Sequence, residues 1–283
     1  MALAEDAARN DITSRSVIPQ KSRIKAAIVA QESGMLAGID VVARVFTLQD
    51  NNLSVRALKK DGSVLKRGQA VLTVEGSARS LFAAERTALN LLGHLSGIAT
   101  LTSQFVRRVR PFNVTILDTR KTLPGLRRLE KYAVRVGGGQ NHRMDLQDDI
   151  LIKTNHVQAV AREAYLVKRN ERRALLIQRT IRQAKQRHPG KFVEIEVVNL
   201  KEFKAALAEK PHAILLDNWP LRSIRLAVRL RDALHASRFT LLEVSGGVTL
   251  ANVRAIAATG VERISIGRLT HSAPSLDVAL HLD

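Results

Sequence analysis

Six cations in this chain have the types and positions to grip a small polyanion: the pairs Arg120-Lys121 and His142-Arg143, then Lys153, and, from earlier in the sequence, Arg86. Arginine offers a planar fork to a carboxylate and lysine a mobile point charge, so such a set suits a dicarboxylate together with phosphates. Two carboxylates, Glu196 and Asp217, each close a short apolar run, where an acid has no reason to be buried unless it binds something. Their oxygens suit a Mg²⁺ ion held jointly with phosphate, or hydrogen bonds to ribose hydroxyls; an internal ion pair with Lys153 or Arg120 is the alternative. Glu194, on the same run as Glu196, is expected to face outward toward helices and is left out of the site. Gly137-Gly138-Gly139 and Ser245-Gly246-Gly247 let backbone N–H groups approach a phosphate, although glycine runs are also ordinary turns. A helix expected from about residue 250 would add its dipole behind Ser245. Asp277, His271 and Ser272 suggest a hydrolase triad, but the chain has no G-x-S-x-G turn to carry a nucleophile, and that chemistry is set aside. Taken singly, each cation reads as a solvated head or a surface ion pair, and His142 as a core imidazole. What gives them weight is convergence.

That convergence depends on the elements that carry them. After residue 112 a short apolar run ending in polar residues recurs: Val114-Thr-Ile-Leu-Asp118, Ile150-Leu-Ile-Lys153, Val193-Glu-Ile-Glu196, Ala213-Ile-Leu-Leu-Asp217, Leu241-Leu-Glu-Val-Ser245 and Ile264-Ser-Ile-Gly267. Each is followed by helical spacing. Strands alternating with helices imply parallel pairing through crossovers, and a sheet that closes on itself gathers all the carboxyl ends on one rim. No glycine-rich dinucleotide turn follows the first strand, which favours a barrel over an open doubly wound sheet. Before residue 98 the pattern differs. Alternating segments at 24–30, 53–57 and 70–75, punctuated by Ser33-Gly34, Asp61-Gly62 and Arg67-Gly68, predict a small sheet. Helical spacing then runs through Leu81, Ala84, Ala88, Leu92 and Leu95, with a second helical stretch over 99–109.

With 283 residues, 45% of them hydrophobic, the chain can build a sizeable core. It has neither a long apolar run nor the basic-then-apolar start of a signal peptide, and reads as cytoplasmic with no membrane partner. Without cysteine, any metal must use oxygen or imidazole. The net charge of +19 fits either nucleic acid or the steering of a small polyanion. Much of the excess lies over 162–191, including Lys168, Arg169, Arg172, Arg173, Arg179 and Lys185. A solvated helical face is the plain reading of that stretch. Aromatics make up only 4% of the chain, so the stacking platforms of a single-strand binder are missing and nucleic acid is disfavoured as a partner.

The assembled segments resemble those of quinolinate phosphoribosyltransferases, and the resemblance runs from residue 2 to about 280. It is carried by Ala84-Glu-Arg-Thr-Ala-Leu-Asn90, Leu95-Ser-Gly-Ile-Ala-Thr100, Asp118-Thr-Arg-Lys-Thr122, Leu129-Glu-Lys-Tyr-Ala-Val-Arg135, Gly137-Gly-Gly-Gln-Asn-His-Arg143, Leu216-Asp-Asn218, Ser245-Gly-Gly247 and Leu269-Thr-His-Ser272. It implies an α/β chain with an N-terminal α/β sandwich domain, 1–98, and a C-terminal incomplete TIM-like α/β barrel, 99–283. It also implies a homodimer with shared active sites, in which the first domain contributes to the partner's site through Arg86. Arg120, His142, Arg143 and Lys153 would hold the quinolinate carboxylates, and Lys121 would join the phosphate side. Glu196 and Asp217 would handle ribose hydroxyls and Mg²⁺, while Ser245, Gly246, Gly247 and Gly267 would cradle the 5′-phosphate. The implied catalytic set is Lys121, Lys153, Glu196 and Asp217. The implied reaction joins quinolinate to phosphoribosyl pyrophosphate and releases CO₂ and pyrophosphate, giving nicotinate mononucleotide for NAD biosynthesis.

Three features depart from the family pattern. Thr154 stands where an aspartate commonly follows the lysine, Arg9-Asn10 replaces a glycine-bearing turn, and the basic stretch between Lys153 and Glu196 is longer than usual. The competing readings are a nicotinate-specific or other paralogous phosphoribosyltransferase on the same fold, and a basic nucleic-acid-binding protein on an inactive scaffold. The complete Asn141-His142-Arg143 segment argues against the first, and the intact rim set argues against the second.

Overall fold

A computed structural model describes residues 1–163, 171–234 and 239–283. Lys168 and Arg169 of the basic stretch lie outside the described residues. The chain forms two compact units. Unit 1 comprises residues 1–103, 122–139 and 268–283, and unit 2 comprises 104–121 and 140–267. By compactness two later segments, 122–139 and 268–283, group with the first sheet.

Unit 1 is built on an antiparallel four-stranded sheet whose order brings the chain's end beside its beginning: Val278–Leu282 (β12), Arg23–Ala30 (β1), Ala70–Ser77 (β5) and Ser54–Ala57 (β3). Strand period two places Ala26, Ile28 and Ala30 of β1 on one buried face. Against it pack Val42 and Phe46 of Ile39–Gln49 (α3) and Leu81, Ala88 and Leu92 of the 32-residue helix Ala78–Val109 (α4). The apolar residues of α4 recur at helical spacing, and their burial is what holds the helix on the sheet. Gly97 allows the returning chain to lie against that helix: a Cβ there would stand 2.0 Å from the Pro274 carbonyl oxygen. Asp61 accepts the Gly38 and Ile39 N–H groups (2.8 and 3.1 Å) at the start of α3 and the Tyr132 hydroxyl at 2.6 Å. Burial and that acid push the Tyr132 phenol up to about 12. In Arg127–Val136 (α5), Glu130 is fully buried and bonded to His94 Nε2 at 2.9 Å.

Unit 2 holds a six-stranded, wholly parallel sheet in the order Thr115–Leu117 (β6), Arg263–Ser265 (β11), Leu241–Ser245 (β10), Ala213–Asp217 (β9), Val193–Val197 (β8) and Ile150–Ile152 (β7). The six apolar runs read from the sequence are these strands. From β7 to β11 each strand neighbours the next in sequence, and β6 lies beside β11; among the described residues β6 and β7 do not pair, and a bridge from Leu117 to Gln140 extends the β6 edge. Among the described residues the barrel is thus incomplete, with fewer than eight strands, as expected.

Among the intervening helices are Thr154–Glu163 (α6), Glu171–Arg187 (α7), Leu200–Ala208 (α8) and Leu221–Ala233 (α9). Several cations of the basic stretch are anchored and do not simply float in solvent. Arg173 pairs with Glu202, and Arg182 pairs bidentately with Glu209 (2.7 and 2.6 Å). The Lys185 ammonium donates to the carbonyls of Glu209 and Lys210 beyond the end of α8 (2.9 and 2.6 Å), where helix carbonyls lack partners. Arg179 and Arg187 remain exposed. No helix among the described residues is long and apolar enough to cross a membrane.

Candidate active site

At the carboxyl ends of the parallel strands lies a cavity of about 400 Å³, a size that suits a small ligand. Eight of the residues read from the sequence line it: Arg120, Lys121, His142, Arg143, Lys153, Glu196, Asp217 and Ser245. They come from six places in the chain. Arg120 and Lys121 follow β6, Lys153 follows β7, Glu196 is on β8, and Asp217 and Ser245 end β9 and β10, where register pairs them directly. His142 and Arg143 sit on the turn ahead of β7. That turn is hung from β6: the fully buried Asp118 accepts the His142 N–H at 2.9 Å. The Arg143 guanidinium is buried and donates to the Asp149 carbonyl at 3.1 Å, while burial and the neighbouring Arg120 charge lower its proton affinity. Two guanidinium groups held that close favour an anion between them.

The acidic side is equally fixed. Glu196 accepts the backbone N–H of Thr154 at 3.2 Å, and Asp217 accepts the Asn218 amide at 3.0 Å. The Thr154 N–H thus orients Glu196 whatever side chain stands at 154; its hydroxyl is buried without a hydrogen-bond partner among the described residues. Glu196 and Asp217 line one cavity as hard oxygen donors, which fits a magnesium ion shared with substrate phosphate.

Three expectations change. Glu194 does not face the helices. Residues two apart on a strand share a face, so Glu194 points inward like Glu196. There it is buried, and the His142 ring donates from Nε2 to it at 2.9 Å, with Glu243 Oε1 3.5 Å from the same nitrogen. Secondly, the N–H groups of Gly137, Gly138 and Gly139 close the last turn of α5 onto Ala133, Arg135 and Val134, so they cap a helix and do not greet a phosphate. A Cβ on Gly137 would lie 2.6 Å from the Ala99 carbonyl oxygen, which is why glycine stands there. Thirdly, the helix behind Ser245 is only Val253–Ala257 (α10), preceded by a Thr249-Asn252 cap, so its dipole is small.

Gly246 and Gly247, both at positive φ, lie in the turn after Ser245, and Gly267 follows β11; none of them lines the cavity. At Gly246 a Cβ would meet the Asn218 side chain at 2.3 Å, whereas Gly247 faces open space. Arg86 belongs to unit 1, exposed on α4.

Sequence reasoning missed Glu243, Ser265 and the structural role of Asp118. The signal was available for one of them: Glu243 stands two residues before Ser245, on the same strand face. Arg263 donates from Nε to Glu243 at 2.7 Å. Burial alone would push both carboxyl groups up. At Glu243 the His142 ring and the Arg263 guanidinium outweigh it and hold the group below the ordinary range; at Glu194 burial and neighbouring Glu243 prevail and push it up. Burial opposes a charged His142, but the hydrogen bond to Glu194 and then the charge of Glu243 override it and raise the ring to about 9. The geometry opposes that charge: His142 Nδ1 accepts the Arg143 N–H at 2.8 Å, which only the neutral ring with its proton on Nε2 can do.

Two family models divide the chain between them: the quinolinate phosphoribosyl transferase N-terminal domain over residues 11–96 and its C-terminal domain over 98–281. The nicotinate-nucleotide pyrophosphorylase [carboxylating] of Mycobacterium leprae (strain TN) is 44% identical over 276 residues, spanning 96% of this chain and 91% of its own length. Among solved structures, NadC from Streptococcus pyogenes superposes with a TM-score of 0.87 at 38% identity, covering 100% of this chain and 94% of that one. The nicotinate-nucleotide pyrophosphorylase from Francisella tularensis gives 0.87 at 35% identity, covering 100% and 93%. Both domain models, the full-length relatives and the cavity at the strand ends agree: the chain belongs to the quinolinate phosphoribosyltransferase family.

Proposed function

We propose that this chain transfers the phosphoribosyl group of phosphoribosyl pyrophosphate to quinolinate and removes the 2-carboxylate, giving nicotinate mononucleotide, pyrophosphate and CO₂. The observation that carries the reading is one cavity lined by Arg120, Arg143 and Lys153, which can meet carboxylates, and by Glu196 and Asp217, which can meet ribose hydroxyls or a phosphate-bound cation. Paired cations on the pyridine ring fix its nitrogen toward the anomeric carbon. The nitrogen lone pair forms the new C–N bond as the bond to pyrophosphate breaks, so positioning and electrostatics supply the catalysis and no strong nucleophile is required. Lys121 and Ser245, which line the cavity, take the phosphate side; Gly246, Gly247 and Gly267, on the turns that follow β10 and β11, are read as the backbone part of the 5′-phosphate cradle. Glu196 and Asp217 would hold magnesium, which when bound neutralises charge on the pyrophosphate oxygens. Once glycosylated, the ring nitrogen is cationic and stabilises the electron pair that stays on C2 when CO₂ departs, and that pair then takes a proton from solvent. The carboxylate that stays remains gripped by the cations.

The site is read as shared in a homodimer, with Arg86 reaching the partner's cavity, in a cytoplasmic enzyme that binds neither membrane nor nucleic acid. Incubation with quinolinate, phosphoribosyl pyrophosphate and Mg²⁺ should give nicotinate mononucleotide and CO₂ in equal amounts. Nicotinate accepted in place of quinolinate, with no CO₂, would overturn the assignment. For the shared site, Arg86→Ala and Lys153→Ala subunits, each inactive alone, should on full exchange recover roughly a quarter of normal activity, because half the dimers carry one intact site. No recovery despite proven exchange would place Arg86 in its own subunit's site.

A further inference from the structure

We propose that Glu194 and Glu243 are positioning residues for the quinolinate side of the cavity: through the His142 ring they fix the turn that aims the Arg143 guanidinium. The inference rests on the quinolinate reading of the site. Interior positions of an α/β barrel are ordinarily filled by branched aliphatic residues. Here interior positions on β8 and β10, on either side of β9, hold Glu194 and Glu243, with side chains 1% and 0% exposed, next to Arg263 and His142. Removing such charges from water is costly, and Glu194 Oε1 finds no hydrogen-bond partner among the described residues. Stability alone is a poor reason to keep them.

What they do is visible in the order of contacts. Arg263 holds Glu243, Glu194 accepts from His142 Nε2, and Glu243 Oε1 stands 3.5 Å from the same nitrogen, an electrostatic neighbour that makes no hydrogen bond to it. The other ring nitrogen accepts the Arg143 N–H, and the His142 N–H is tied to Asp118. Because Nδ1 accepts, the ring's proton is on Nε2 and needs an acceptor below it. The imidazole cannot offer that N–H to a substrate carboxylate without giving up Glu194, nor rotate without releasing Arg143. His142, Glu194 and Glu243 also lie within 4.8 Å of one another in a metal-like cluster. The Nε2–H to Glu194 bond and the ion pair of Glu243 with Arg263 already account for that closeness, so the cluster is a clamp and not a metal centre.

The requirement is for an acceptor at 194, which separates positioning from bulk structure. Wild-type turnover of quinolinate is measured first: its absence sinks the reading of the site, whereas its presence with the following pattern missing sinks this inference alone. Glu194→Leu should raise KM for quinolinate about tenfold, the loss of one hydrogen-bonded anchor, and leave KM for phosphoribosyl pyrophosphate within about twofold. Glu194→Gln, which keeps a carbonyl acceptor, should restore quinolinate KM to within about threefold of wild type. In ¹⁵N-histidine spectra, His142 should carry its proton on Nε2 in the wild type and populate both tautomers in Glu194→Leu. Should Glu194→Leu fail to fold, Glu194→Asp, whose acceptor is drawn back by one methylene, carries the same expectation for KM and tautomer. Equal loss for both substrates, no loss, failure of Glu194→Gln to rescue, or an unchanged tautomer would each overturn the proposal.

Discussion

Behind the sheet of unit 1 lie Ile28, Phe46, Leu72 and Leu92, none with exposed surface, and nothing there needs a particular partner. Inside the barrel of unit 2 the corresponding space holds Glu194, Glu243, Arg263 and His142, each of which needs a specific one. An apolar core is stabilised by area and shape, so a lost side chain costs stability broadly and direction hardly at all. A buried polar cluster contributes little net stability but fixes atoms in space, because every unsatisfied donor is expensive. The contrast separates variants that lower stability from variants that lower substrate affinity.

The largest effect should come from Phe46→Ala, which ought to cost about 3–5 kcal/mol of stability. Chemical denaturation would show it, and the protein that remains folded should keep both KM values. A shifted quinolinate KM would break the comparison. Arg143→Ala should do the reverse. Loss of a charge-assisted contact in a desolvated site is worth ~2 kcal/mol, so quinolinate KM should rise about thirtyfold while phosphoribosyl pyrophosphate binding barely changes. Equal loss for both ligands in steady-state kinetics would remove Arg143 from the carboxylate side.

Smaller effects sharpen the contrast. The Tyr132 phenol in unit 1 is raised to about 12 in the folded chain, from about 10 when unfolded. The folded state therefore binds more protons over that window, and stability falls as pH rises through it. Urea melts across that range should show a shallower decline in Tyr132→Phe; an identical decline would mean the bond to Asp61 does not govern it. The smallest effect belongs to the exposed arginines of α7. Arg179→Gln with Arg187→Gln should lower kcat/KM slightly at low ionic strength and leave kcat intact, with the difference gone by roughly 0.5 M salt. A kcat defect that persists in salt would mean these residues help build the site.

The six strands and the polar residues at their ends were legible because both signals are local: an apolar run bounded by polar residues, then helical spacing. The cations of the cavity were legible for the same reason, since a strand end fixes where its last side chain stands. Glu194 shares the inward face with Glu196, and Glu243 stands one layer below Ser245 on the same face, so strand period two carries both, against the outward expectation for Glu194. Gly137, Gly138 and Gly139 show a different limit, because the same three residues could cap a helix or approach a phosphate, and only the position of α5 beside Ala99 decides.

By itself, then, the sequence determined the strands of the barrel, their count and the chemistry available at its rim, all of which follow from residue type and period. The tertiary structure alone decided that β12 pairs with β1, that Gly97 admits Pro274, and that Arg263, Glu243, His142 and Glu194 meet in one line. Each of these depends on which distant segments become neighbours, and that is set by burial and pairing summed over the whole chain, a quantity no local pattern contains.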